Sequence, residues 1–462
     1  MFYCAAGMKP VVESVAQDYY KEYGVRIDIQ YGGSGTLLSN LRVAQQGDLY
    51  LAADKSYIKE AQKFELINET QPLAFLKPII AVPKGNPKGV KGITNVFKDT
   101  LRVAIANPDA ASIGRLTKKM LQEAKLWDSI QNNIEVQLPT VNEVANAVKL
   151  GTVDVGVIWD ATANQYEAID IVEEETFNTN IKTVTVGVLK FSKAPTEALR
   201  FLRYLSASDK GLRSFEALGY KPIQGDVWEE KPELLFYSGG VNRLAVDETI
   251  NAFEIREGVQ VTRVYNGCGI LVSQIKAGQN PDAYLTCDIS FMEQVKERFT
   301  DIMDVSNTKI VVATPKGNPK NIQGLDDLAN KKIALGVCNH NQSALGALTK
   351  QLLEGQGLWE TVYKNVRSQT PTADLLVNQL LTGSLDAVIV YYANVANVKD
   401  KLDIVTIDLK AAEALQNVGV ANQSKHHFLT KRLIHALTTN QSKAKYLEHG
   451  FEWEVKNNQL SN

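Results

Sequence analysis

The chain is poor in the side chains that most enzymes and staples depend on. It has four cysteines in 462 residues, Cys4, Cys268, Cys287 and Cys338, without close metal-type spacing, so it is not a disulfide scaffold. Only Cys4 lies in the first half, which excludes a disulfide within that half. There are five histidines, and all lie at or beyond His340; more than the first two-thirds of the chain has no imidazole for acid–base or triad chemistry. No excess of positive charge exists to attract nucleic acid or an anionic membrane: 50 basic against 52 acidic residues give a formal net charge of −2. No apolar run approaches the roughly 18–20 residues of a membrane helix. No signal-peptide pattern precedes Phe2–Ala5, which already reads as a buried strand; the expectation is that Met1 stands where a leader was removed.

What the chain does have, it has twice. Phe2-Tyr3-Cys4-Ala5 returns as Phe236-Tyr237-Ser238-Gly239, a shift of 234 residues (236 − 2). At that shift Tyr31-Gly32-Gly33-Ser34-Gly35 faces Tyr265-Asn266-Gly267-Cys268-Gly269, and Asp54 faces Asp288. Pro83-Lys84-Gly85-Asn86-Pro87 recurs letter for letter from Pro315, at 232 (315 − 83), as do Leu126-Trp127 and Pro139-Thr140. The period is too long for a solenoid unit of roughly 20–50 residues. Each copy is large enough to hold its own core. The reading is a tandem duplication, with domains at 1–230 and 234–462 and a Pro- and Gly-containing join over Lys221–Glu233.

Within each copy, short apolar runs alternate with amphipathic stretches, the pattern of an α/β fold. Val11, Val12, Val15 and Tyr19 predict a helix over Pro10–Tyr23, ended by Gly24. Val25–Ile29 alternates as a strand, and helices are expected near Leu37–Ala44 and Gly114–Lys125. Further strands are expected at Pro78–Val82, Leu101–Ala106, Val153–Ile158 and Thr183–Leu189.

Four turns share a strand-to-helix context: residues 5–8, 33–36, 111–114 and 159–161. Free N–H groups at a helix start, with the positive end of its dipole, suit an anion. Glycines let backbone approach a ligand closely, and Ser34 and Thr36 add hydroxyls. A Gly-rich turn merely capped by serine fits the same letters. A Walker phosphate loop is excluded, because no Gly-Lys-Ser/Thr follows.

These motifs together resemble the periplasmic molybdate-binding proteins of ABC importers. The resemblance rests on Phe2-Tyr3-Cys4-Ala5-Ala6 before a helix, Gly-Gly-Ser-Gly-Thr-Leu at 32–37, Gly47–Asp54, Leu126-Trp127, Gly156–Trp159 and Gly219-Tyr220, and it covers both copies nearly end to end. It implies two type II periplasmic-binding domains, each of two α/β lobes on a hinge. It also implies an oxyanion held by neutral donors, importer membrane subunits as partners, an extracytoplasmic location, and a monomer without cofactor or catalytic metal. Carried over, the first ligand serine falls on Gly7, beside Ala6, which offers only backbone N–H. The second falls on Ser34, between Gly33 and Gly35. The mid-chain donor falls on Ile113, next to Ser112, and the ligand tyrosine on Trp159. Copy two has Val241 beside Gly240, Cys268 beside Gly269, Leu345 and Tyr391 at these places. Neither copy shows the full hydroxyl set, so a sensory or scaffolding ectodomain without transport is the competing expectation.

Other residues have blander readings. Asp54 and Asp288 could touch a ligand, but a helix-capping or lobe-fixing role is expected, because a carboxylate repels an oxyanion. Lys9 and Arg243 beside the first turns are expected to be solvated. Trp159 and Tyr391 either wall the clefts or fill the core beneath. Cys268, Cys338 and His340 would suit a soft metal if their turns converge, but ordinary small residues of a degenerate site are the expected alternative.

Overall fold

The computed structural model describes residues 1–96, 100–330 and 332–456. The chain divides into two compact units, Met1–Glu230 and Lys231–Asn462. Among the described residues no helix is long and apolar enough to cross a membrane.

In the first unit the strands are β1 (Phe2–Ala5), β2 (Ile29–Gly32), β3 (Leu49–Ala52), β4 (Ile67–Leu76), β5 (Pro78–Pro83), β6 (Val103–Ala106), β7 (Ile134–Leu138), β8 (Val155–Trp159), β9 (Ile169–Val172), β10 (Lys182–Leu189) and β11 (Lys221–Pro222). They form two mixed sheets, one per lobe, in the orders β11-β4-β10-β3-β1-β2 and β7-β6-β8-β5-β9. The central strands are hydrophobic throughout and buried on both faces, as covered parallel strands are. The helix Lys9–Tyr23 lays Val11, Val12, Val15 and Tyr19 onto the first sheet. Gly24 ends it at φ +69°, where a residue without Cβ is unstrained.

The chain passes between lobes at Lys77 and again after Val172. At the first crossing the Lys77 N–H donates to the Asp160 carboxylate at 3.0 Å, and the Asp160 N–H donates back to the Lys77 carbonyl at 2.9 Å. This pins the crossing to the turn that follows β8.

The second unit repeats the plan with β12 (Glu233–Gly239), β13 (Gln260–Asn266), β14 (Ala283–Leu285), β15 (Phe299–Pro315), β16 (Leu335–Cys338), β17 (Val366–Thr370), β18 (Ala387–Tyr391), β19 (Leu402–Thr406), β20 (Glu413–Ala421) and β21 (Glu452–Trp453). Here the crossing strand is unbroken. β15 pairs with β20 along its first part and with β18 and β19 along its last, joining both lobes in one ten-stranded sheet.

Several boundaries differ from the sequence expectation. The strand expected at Val25–Ile29 lies at Ile29–Gly32, because it pairs only with β1, whose four residues face exactly four partners. Val25–Asp28 have no strand opposite them, and Arg26 and Asp28 form an exposed ion pair. Helices begin earlier than expected, at Ser34 and Ser112, so Ser34 and Ser112 open their helices rather than precede them. β4 was not expected; its burial follows no clean alternation. The join starts later, since Lys221-Pro222 pairs with Phe75 and Ala74 of β4. The repeat conserved letter for letter is a structural turn: Gly85 and Gly317 adopt φ +80° and +83°, and their N–H groups donate to Asp170 and Asp403.

Candidate functional site: an interlobe cleft in each copy

In the first unit the strand-to-helix turns of the two lobes meet. The Gly35 N–H donates to the Ala110 carbonyl at 2.8 Å, and the Thr36 N–H reaches the same oxygen at 3.2 Å. A methyl group on Gly33 would lie 2.3 Å from the Ala110 oxygen and 3.0 Å from the Pro139 oxygen; one on Gly35 would lie 2.5 Å from the Asp109 oxygen. Glycine is required at both because backbone of one lobe touches backbone of the other. Asn107 builds the opposing turn: its side chain accepts from the Asp109 N–H and its carbonyl from the Ala110 and Ala111 N–H groups. Gly7 closes the same space from the first turn. A methyl there would meet Val141 at 3.0 Å, the Thr162 hydroxyl at 3.7 Å and the Trp159 ring at 3.8 Å.

The groups facing this cleft are neutral. The first four N–H groups of a helix lack intrahelical partners. Ser34 is 2% exposed and its Oγ accepts the Ala53 N–H at 3.3 Å, which leaves the hydroxyl proton to donate. Tyr50 steadies the turn by donating to the Ser34 carbonyl at 2.7 Å. Ser112 and Ile113 are buried at the start of the helix Ser112–Glu123, which has no side-chain cap, so their N–H groups are available. Ala6 lies in the short 3-10 turn Ala6–Met8, whose Gly7 carbonyl accepts from the Tyr220 hydroxyl at 2.5 Å. Trp159 is buried in the core, with its ring edge beside Gly7.

Two nearby carboxylates are engaged elsewhere. Asp54 caps its helix by accepting from the Ser56 N–H, and Asp160 is held at the interlobe crossing. Lys9 is half-exposed, near Glu13 and over the Tyr31 ring. A solvent-open hollow near Glu22 and Lys210 shares no residue with the turns, and its Glu22 carboxylate is already bound by Lys210, Tyr204 and Tyr23.

Three contributors were not expected as site residues, although Thr162 adjoins one of the four turns. Thr162 is 1% exposed and its hydroxyl has no hydrogen-bond partner among the described residues. Val141 opens a helix whose N-cap Thr140 forms a capping box with Glu143, fixing the turn that faces Gly7. Asn107 has a visible signal, since Asn339 matches it at the 232-residue shift and builds the same turn.

Copy two is closed by the same contacts and lined differently. The Gly269 and Ile270 N–H groups donate to the Gln342 carbonyl at 3.1 and 3.4 Å. The bond from Ala53 to Ser34 is repeated as one from the Cys287 N–H to the Cys268 sulfur, at 3.1 Å. The Val241 N–H is directed at the Cys287 sulfur, and Gly240 has only Thr372 and Asn266 near its open face. Leu345 places an apolar side chain where Ile113 stands. Tyr391 is 2% exposed, its hydroxyl has no partner among the described residues, and burial raises its pKa well above the phenol range, so it remains a donor. Asp288 caps its helix through Ser290, and Arg243 pairs with Asp247 over the Tyr265 ring. Cys338 lies 4.0 Å from the Thr370 hydroxyl, and burial pushes its thiol up to about 12. His340 packs edge-on against Trp359. Among the described residues no three His, Cys, Asp or Glu side chains come together as a metal site, so Cys268, Cys338 and His340 do not form one.

The family described as bacterial extracellular solute-binding protein matches residues 1–221 and 234–452, one segment per copy. A Haemophilus influenzae protein provisionally named a binding protein is 28% identical over 224 residues, 48% of this chain and 90% of the relative. The molybdate-binding protein ModA of Mycobacterium tuberculosis is 23% identical over 199 residues, 42% of this chain and 74% of the relative. Among solved structures, the periplasmic molybdate-binding protein of Azotobacter vinelandii aligns with a TM-score of 0.42 and 18% identity, over 48% of this chain and all of its own. The matched segments, the two lobes per unit and the interlobe clefts agree: the chain is a tandem pair of type II periplasmic-binding domains and belongs to the bacterial extracellular solute-binding protein family.

Proposed function

We propose that the protein delivers a tetrahedral oxyanion of the molybdate or tungstate class to the membrane subunits of an ABC importer, with copy one as the binding module. It works outside the cytoplasm, as a monomer, and by capture and release without catalysis. The observation that carries this reading is the meeting of the 33–36 turn with the 109–112 turn, which brings the Ser34 hydroxyl and the uncapped start of the helix Ser112–Glu123 onto facing turns; the buried Thr162 hydroxyl beside Gly7 and the engagement of Asp54 and Asp160 elsewhere support it. Neutral donors on rigid turns stabilise an anion without a counter-charge, because the helix dipoles supply the positive potential. Selectivity then follows from cavity radius, since dianions of equal charge differ mainly in size. The names of several relatives point the same way.

A sensory or scaffolding role is the second reading, and copy two favours it. Its Cys268 sulfur is turned to Cys287, and Leu345 offers no polar side chain. Thermal denaturation of the whole chain against molybdate, tungstate and sulfate separates the two. An anion present at a hundred times its Kd adds about 2.7 kcal/mol to the unit that binds it. A flat response across the panel removes the oxyanion reading.

A further inference from the structure

Copy two carries a pair of thiols with no counterpart in copy one. Cys268 opens the helix Cys268–Lys276, and Cys287 follows β14. Their twins are Ser34 and Ala53, at the 234-residue shift. A methyl group built on Gly239 would lie 2.1 Å from the Cys287 sulfur and 3.0 Å from the Cys268 sulfur, so the two sulfurs flank one point and are neighbours. The Cys287 N–H donates to the Cys268 sulfur at 3.1 Å. All four cysteines are free and buried, and the two are 0% and 5% exposed.

We propose that Cys268 and Cys287 are a redox pair that closes to a disulfide in the cleft of copy two, taking a small-molecule or protein disulfide as oxidant. The family is extracellular, and disulfides persist in such compartments. Burial raises both thiols, but the Cys287 thiol and N–H hydrogen-bond to Cys268 and hold it below the ordinary thiol range, whereas Cys4, Cys287 and Cys338 are all raised. Cys268, which opens its helix and accepts the Cys287 N–H, is the attacking sulfur. Its thiol gives up a proton, and the thiolate attacks one sulfur of the oxidant, expelling one thiolate and leaving a mixed disulfide on Cys268. Cys287, deprotonated in turn, attacks the Cys268 sulfur and expels the second thiolate. The two protons end on the two released thiols; the protein dithiol loses two electrons and the oxidant gains them. The oxidant enters when the contact between Gly269 and Gln342 opens. Closure of the bridge takes the Cys268 S–H away from the cleft at the place where copy one presents the Ser34 hydroxyl, so oxidation changes copy two alone.

The test uses the full chain, first reduced, then incubated with oxidised glutathione, denatured, alkylated with iodoacetamide and digested for mass spectrometry. The expected result is a cross-linked pair of peptides containing Cys268 and Cys287, with Cys4 and Cys338 alkylated and all four thiols recovered after dithiothreitol. Four alkylated cysteines, separate glutathione adducts on the two, a bridge that includes Cys338, or a soft metal ion purifying on the pair by elemental analysis would each overturn it. The Cys268→Ser, Cys287→Ala double variant installs the Ser34–Ala53 arrangement; it is expected to fold with an unchanged melt and to form no bridge.

Discussion

Replacing Gly35 with alanine asks whether the cleft of copy one works by closing. The new methyl would sit 2.5 Å from the Asp109 oxygen and 3.1 Å from the Ala110 oxygen. Both oxygens belong to backbone held in place by Asn107, so neither can yield as a flexible side chain would. Relief requires the lobes to separate, which breaks the bonds from the Gly35 and Thr36 N–H groups to Ala110. At about 1 kcal/mol for each, the closed arrangement loses about 2 kcal/mol, or roughly thirtyfold in its population relative to the open one. Apparent affinity falls with the fraction of closed molecules. Locally the change has the opposite sign, because alanine favours the first turn of a helix by a few tenths to about 1 kcal/mol over glycine. The expectation is thus a molybdate Kd raised at least tenfold by calorimetry, with a melting temperature in the absence of anion that is unchanged or slightly higher. Parental affinity in Gly35→Ala would refute the closing contact as part of binding.

Four further outcomes are expected. Ser34→Ala weakens molybdate binding by about 1–2 kcal/mol through loss of one donor, while Thr162→Val, which keeps shape and removes the unpartnered hydroxyl, weakens binding without lowering the melting temperature. Arg432→Met removes the two-point contact to the buried Glu257 carboxylate at 2.6 and 3.0 Å and destabilises the second unit by about 1.5–3 kcal/mol, read as a lower melting transition for that unit alone. The Arg102 guanidinium and N–H hold the buried Asp154 carboxyl below the usual range against the effect of burial. A depressed native pKa gives stability that is complete above about pH 4 and is lost as pH falls through the native value. Asp154→Asn therefore costs about 1 kcal/mol at neutral pH, since the arginine is half in solvent, and flattens the acid limb of the stability curve.

Much of the architecture was legible because the chain carries its own comparison. A fixed shift of 234 and then 232 residues exposed the duplication, and the Gly-Ser-Gly turn was readable because a close backbone approach needs glycine. Electrostatics argued Asp54 and Asp288 away from an anion, and of the two roles left open, capping and lobe-fixing, the helix caps are the one observed. What the letters hide is backbone contact. The carbonyls of Ala110 and Gln342 that close the clefts belong to different residue types, so no side chain marks them. Thr162 looked like an ordinary helix-start residue because its lack of a partner is a fact of packing. The alternation at Val25–Ile29 was real, but strand length is set by the partner, and β1 offers four residues. The Cys268–Cys287 proximity joins positions 19 apart, separated by a helix and a strand, and no spacing rule reports it.

Calorimetric titration of the full chain with molybdate tests the central claim most directly. The account predicts one bound anion per chain, with binding weakened by Ser34→Ala and left intact in the Cys268→Ser, Cys287→Ala variant. No heat of binding with molybdate, tungstate or sulfate, or a site that survives Ser34→Ala unchanged, would contradict it.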